Sequence, residues 1–104
     1  MENMTLGDVA AACNGRYQGP PALLGRQVAD IVRDHRTAGP GKIFTAFAGE
    51  HADGHDFIRA ALDAGALAAM GWRDLPQAEP YIRVADCAQA WGDIARAYRA
   101  RFSL

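Results

Sequence analysis

A chain of 104 residues has room for one domain around one core, and half of it is hydrophobic by residue type, much of that alanine. Eleven basic against twelve acidic residues leave a net charge of −1, which excludes a global electrostatic pull toward nucleic acid or an anionic membrane. Two distant cysteines, Cys13 and Cys87, with no CxxC, exclude a disulfide framework, and no apolar stretch approaches membrane-spanning length. The opening MENMTLGDVAAAC lacks a basic leader and a long apolar run, so it does not read as a signal peptide; the expectation is a cytoplasmic protein with reduced, buried thiols.

In chain order, Thr5 to Asp8 has the spacing of a capping box, and Val9, Ala10 and Cys13 give the following helix an apolar face. Gly15 is the expected stop, and Gly19-Pro20-Pro21 breaks the chain again. Alternating parity through Val28 to Val32 predicts a strand that ends at Arg33-Asp34-His35-Arg36. After the turn at Ala38 to Gly41, Lys42 to Ala48 predicts a short strand buried on both faces. Gly49 to Gly54 is a loop, Asp53 is placed to cap a helix, and Phe57, Ile58, Ala61 and Leu62 recur at helical spacing until Gly65. Ala66 to Met70 predicts another buried strand, and residues 76–80 a surface loop. Tyr81 to Val84 predicts a further strand. Asp86 then caps a last helix, with Trp91, Ile94, Ala95, Tyr98 and Phe102 as its inner stripe. The alternation predicts a single small α/β domain with a mainly parallel or mixed sheet flanked by helices.

No P-loop, GxGxxG or GxSxG occurs, and one stretch, GEHADGHDF from Gly49 to Phe57, concentrates the acids and histidines. Three chemistries compete for it. His51, Asp53 and His55, with His35 nearby, are acceptable zinc ligands, but the spacing matches no compact zinc pattern. Asp53, Gly54 and Asp56 also suit the start of a helix and need no ligand for that. Finally, the segments Arg33 to Arg36 and Glu50 to Asp53 each follow a predicted strand, where open α/β sheets take their ligands, and they offer arginine, histidine and carboxylate groups. For Arg33 and Arg36 the bland alternative is a solvated surface ion pair.

Several motifs recur together: Asp34-His35-Arg36, Pro40-Gly41-Lys42-Ile43-Phe44, Ala46, Gly49-Glu50, Asp53-Gly54-His55-Asp56-Phe57-Ile58 and Gly65-Ala66. With the opening TLGDVA and the closing VADCAQAWGDIARAYRARF, this combination resembles the N-terminal domain of the Mur ligases of peptidoglycan synthesis, MurF nearest and MurE next. In that family the N-terminal domain binds the UDP part of the nucleotide-sugar substrate. The central domain carries the P-loop, ATP and magnesium, and the C-terminal domain brings the incoming amino acid or dipeptide. The resemblance therefore implies a cytoplasmic docking domain for UDP-MurNAc-peptide or another UDP-sugar, not catalytic alone. It implies no cofactor in this chain and no metal, with ATP and Mg confined to the absent central domain. The implied partner is the rest of a Mur ligase in cis or in trans, not nucleic acid or membrane. It assigns Arg33, Asp34, His35, Arg36, Glu50, His51 and Ala52 to UDP or substrate binding, and Asp53 and Gly54 to a structural turn. His35 stands where the family has serine, and Lys42 where it has an acid. Those two departures motivate the alternative, a Mur-domain-like protein acting as a partner-binding or regulatory module.

Overall fold

The computed structural model describes residues 3–47 and 53–101. Helix α1, Leu6–Ala12, opens on a reciprocal cap: the Asp8 N–H donates to the Thr5 hydroxyl at 3.1 Å and the Thr5 N–H donates to the Asp8 carboxylate at 2.9 Å. Its end corrects the sequence expectation. Asn14, not Gly15, takes the left-handed conformation (φ 55°), and the N–H groups of Asn14 and Gly15 close back on Ala11 and Ala10 in a Schellman arrangement. Gly15 is needed for space instead, since a Cβ there would lie 2.4 Å from Ile82 Cγ2.

Five strands follow: β1 Arg16–Gln18, β2 Asp30–Val32, β3 Lys42–Thr45, β4 Ala68–Gly71 and β5 Tyr81–Arg83. They form one sheet in the order β1-β5-β4-β3-β2, with β2 to β5 parallel and β1 antiparallel to β5. The mixed α/β sheet agrees with the sequence expectation. β1 carries no readable strand signal: three residues between two turns are too few to show alternation, and β1 forms because β5 offers it an antiparallel partner.

Alternation along the strands sends neighbouring side chains to opposite faces. Ile43, Met70 and Ile82 face α1 and α3 (Cys87–Ala100), where they bury Leu6, Val9 and Ile94. Phe44, Ala69 and Tyr81 face α2 (Ile58–Asp63) and bury Ile58 and Ala61. Small β4 side chains, Ala68 and Ala69, let helices approach the sheet from both sides. On α3 the buried stripe is Cys87, Ala90 and Ile94, with Ala97 and Tyr98 packed against the same core. Ala95, expected inside, is exposed, because the stripe is set one step earlier around the helix; Phe102 lies outside the described residues. Gly65 (φ 94°) closes α2, its N–H and that of Ala66 returning to Leu62 and Ala61. Among the described residues no helix is long and apolar enough to cross a membrane.

Candidate functional site

Parallel strands bring their carboxyl ends to one edge, and four turns leave the sheet there: residues 33–36 after β2, 46–47 after β3, 72–73 after β4 and 84–86 after β5. In the first turn Asp34 caps a short 3-10 segment, His35–Thr37, its Oδ1 accepting the Arg36 N–H at 3.0 Å. The Arg36 guanidinium also reaches both carboxylate oxygens, at 2.8 to 3.2 Å. Those bonds hold the Asp34 carboxyl down at about 2. His35 spends its ring face on Phe57, with centroids 4.2 Å apart and planes within 3°.

Arg33 is placed differently. Its guanidinium lies over the Phe47 ring, 4.6 Å from the centroid, and among the described residues it has no carboxylate partner. Phe47 in turn meets Trp91 edge-on at 5.1 Å. The Trp91 indole N–H donates to the hydroxyl of Thr45 at 2.9 Å, which satisfies the one buried hydroxyl of β3. Phe47 and Trp72 form two walls of a cleft of about 370 Å³, closed by residues 85–88 at the start of α3. Asp86 caps that helix by accepting the Gln89 N–H at 2.9 Å. Burial pushes the thiol of Cys87, which lines the cleft, up to about 11.

Asp53 caps the 3-10 segment Gly54–Phe57 that leads into α2. Its Oδ1 accepts the His55 N–H at 2.9 Å and lies 2.7 Å from His55 Nδ1, and its other oxygen pairs with the Arg73 guanidinium. The His55 N–H and ring, with Arg73, lower the Asp53 carboxyl, against the opposing effect of desolvation. Gly54 runs against the end of β3, where a Cβ would lie 2.6 Å from the Phe47 nitrogen. Glu50, His51 and Ala52 lie outside the described residues. Among the described residues no three metal-ligating side chains converge.

Of the residues singled out from sequence, Arg33, Asp34, His35 and Arg36 share one turn at this edge, and Asp53 and Gly54 lie at the next. Phe47, Trp72 and Asp86 as cleft residues were not found by sequence reading. The signal that locates them is positional: each lies one to three residues beyond the end of a strand. A second cleft, about 410 Å³, runs between α2 and residues 75–78, with Ile58, Leu62, Leu75 and Pro76 as its apolar walls.

No protein-family model matches the chain. The chain is 34% identical over 95 residues to the UDP-N-acetylmuramoyl-tripeptide--D-alanyl-D-alanine ligase of Escherichia coli, an alignment covering 91% of this chain and 20% of that protein. It is 41% identical over 75 residues to the UDP-N-acetylmuramoyl-L-alanyl-D-glutamate--2,6-diaminopimelate ligase of Chlorobium phaeobacteroides, covering 68% of this chain and 15% of that one. It thus spans a fifth or less of the length of these two curated relatives. Among solved structures, MurF from Acinetobacter baumannii superposes with a TM-score of 0.82 at 26% identity, over 97% of this chain and 22% of that chain. MurF from Thermotoga maritima gives a TM-score of 0.67 at 30% identity, over 71% of this chain and 17% of that chain.

The class follows from sequence and fold together: the chain's homologues are Mur ligases, and its fold is that of a Mur ligase N-terminal domain. Within that class the resemblance is to MurF and MurE, the former matched along nearly the whole chain.

Proposed function

We propose that this chain is the UDP-sugar-docking domain of a MurF-type ligase of peptidoglycan synthesis, working in the cytoplasm and not catalytic alone. The observation that carries the proposal is the coincidence of the Mur likeness with an equipped sheet edge. There the Arg33 guanidinium, without a carboxylate partner among the described residues, lies over the ring of Phe47, which with Trp72 walls a cleft. A planar base and a diphosphate suit aromatic walls and an arginine fork. UDP-MurNAc-peptide is the substrate that the likeness favours. By the same likeness ATP and magnesium belong to a central domain, the part of a Mur ligase that carries the P-loop. The rest of the ligase, in cis or in trans, supplies the acyl-phosphate chemistry.

Calorimetric titration of the 104-residue chain with UDP and then UDP-MurNAc-peptide tests this. Saturable binding is expected. Arg33→Ala should weaken it by roughly tenfold or more, the scale of one charge-assisted hydrogen bond. No binding at millimolar UDP-MurNAc-peptide would sink the proposal. It would favour a partner-binding module, a reading supported by His35, which stands where the family has serine and stacks on Phe57.

A further inference from the structure

The turn at residues 53–55 and the turn at residues 71–73 are tied together by more polar bonds than either needs for itself. Buried His55 uses both ring nitrogens: Nδ1 faces Asp53, and Nε2 lies 3.2 Å from the Trp72 nitrogen and 3.3 Å from the Arg73 nitrogen. Backbone amides can only donate, so Nε2 is the acceptor and Nδ1 carries the proton given to Asp53. The Arg73 guanidinium returns to Asp53 and closes the ring of contacts. The Tyr81 hydroxyl donates to the Arg73 carbonyl at 2.8 Å. Gly71 leaves the space for this, since a Cβ there would lie 2.4 Å from His55 Nε2 and 2.6 Å from the Tyr81 hydroxyl oxygen. The His55 ring also meets the Trp72 ring edge-on, with centroids 4.1 Å apart.

We propose that Asp53 and His55 are positioning residues that fix Trp72 as a wall of the cleft, so that nucleotide affinity depends on them through Trp72. The inference rests on the docking-domain reading. Its physical basis is that two successive N–H groups of the β4–β5 turn end on one imidazole nitrogen. Without that acceptor they must find water, and the turn that carries the wall moves with them.

The test is a double-mutant cycle on the 104-residue chain. UDP affinity is measured for wild type, His55→Phe, Trp72→Leu and the double variant, with His55→Gln as the conservative change. Hydrogen exchange of the Trp72 and Arg73 amides is followed in each. His55→Phe should weaken UDP about tenfold, the scale of one lost hydrogen bond. His55→Gln, which keeps an acceptor, should recover most of that loss. His55→Phe should add nothing once Trp72 is leucine. The Trp72 and Arg73 amides should lose protection in His55→Phe while the β3 amides keep theirs. Equal affinities for wild type and His55→Phe, or additive losses in the double variant, would overturn the proposal. If His55→Phe does not fold, Asp53→Asn carries the same cycle with smaller losses. If wild type binds no UDP, the docking reading fails by itself, and unchanged protection of residues 72 and 73 in His55→Phe would still overturn the clamp.

Discussion

Two turns of this molecule are built alike and serve differently. Asp34 and Asp53 each cap a 3-10 segment, and each accepts both the backbone N–H and the side chain of the residue two places on. At Asp34 that side chain is the Arg36 guanidinium, 79% exposed, and the pair ends in solvent. At Asp53 it is the His55 imidazole, only 3% exposed, whose far nitrogen goes on to hold a third segment. Local geometry is therefore a poor guide to energetic weight. What decides is whether the second residue's remaining polar atom meets water or protein.

The contrast can be broken most severely at His55. His55→Ala leaves the half-buried Trp72 N–H and the Arg73 N–H without their acceptor and opens a void, and it should cost about 2–4 kcal/mol in denaturant unfolding. Gly71→Ala keeps every hydrogen-bonding group but drives a methyl into His55 and Tyr81, and should cost roughly 1–3 kcal/mol by the same measurement. Asp53→Asn still caps the turn but loses the carboxylate that faces His55 and Arg73; about 1 kcal/mol is expected. Arg36→Ala, the counterpart at the exposed turn, should lower the unfolding midpoint least of the four.

Acid titration sharpens the same comparison. Both carboxyls are lowered in the fold, Asp34 to about 2. A lowered carboxyl stabilises the fold above its unfolded pKa of about 4, and that contribution is lost as pH falls through the folded value. For Asp34 the loss runs from about pH 4 down to about 2. In about 1 M salt, where screening acts over about 3 Å, the exposed Asp34 should titrate nearer the ordinary carboxylate range, and Asp53 should move less. Carbon-13 shifts of the two carboxyl groups against pH, at low and high salt, check this.

The parts of the fold legible in the sequence are those fixed by local chemistry. The Thr5–Asp8 box, the Asp86 cap, the Gly65 stop and the apolar runs of β3 and β4 each name their element from a few residues. β1 is illegible because its partner lies more than sixty residues away, at Arg16 opposite Arg83. The α1 stop was misplaced because asparagine and glycine compete for the left-handed position, and Gly15 was needed for its contact with Ile82. At the candidate site, charge-rich turns were visible as sequence clusters, whereas Phe47 and Trp72 read as ordinary apolar residues. Only the sheet order, with β4 between β3 and β5, turns them into the walls of one cleft.

The most direct test is a map of amide shifts as labelled chain is titrated with UDP and then with UDP-MurNAc-peptide. Shifts centred on Arg33, Phe47, Trp72 and Asp86 are predicted. Shifts confined to the second cleft, at Ile58, Leu62 and residues 75–78, or no shifts at all, would contradict a nucleotide site at the carboxyl edge of the sheet.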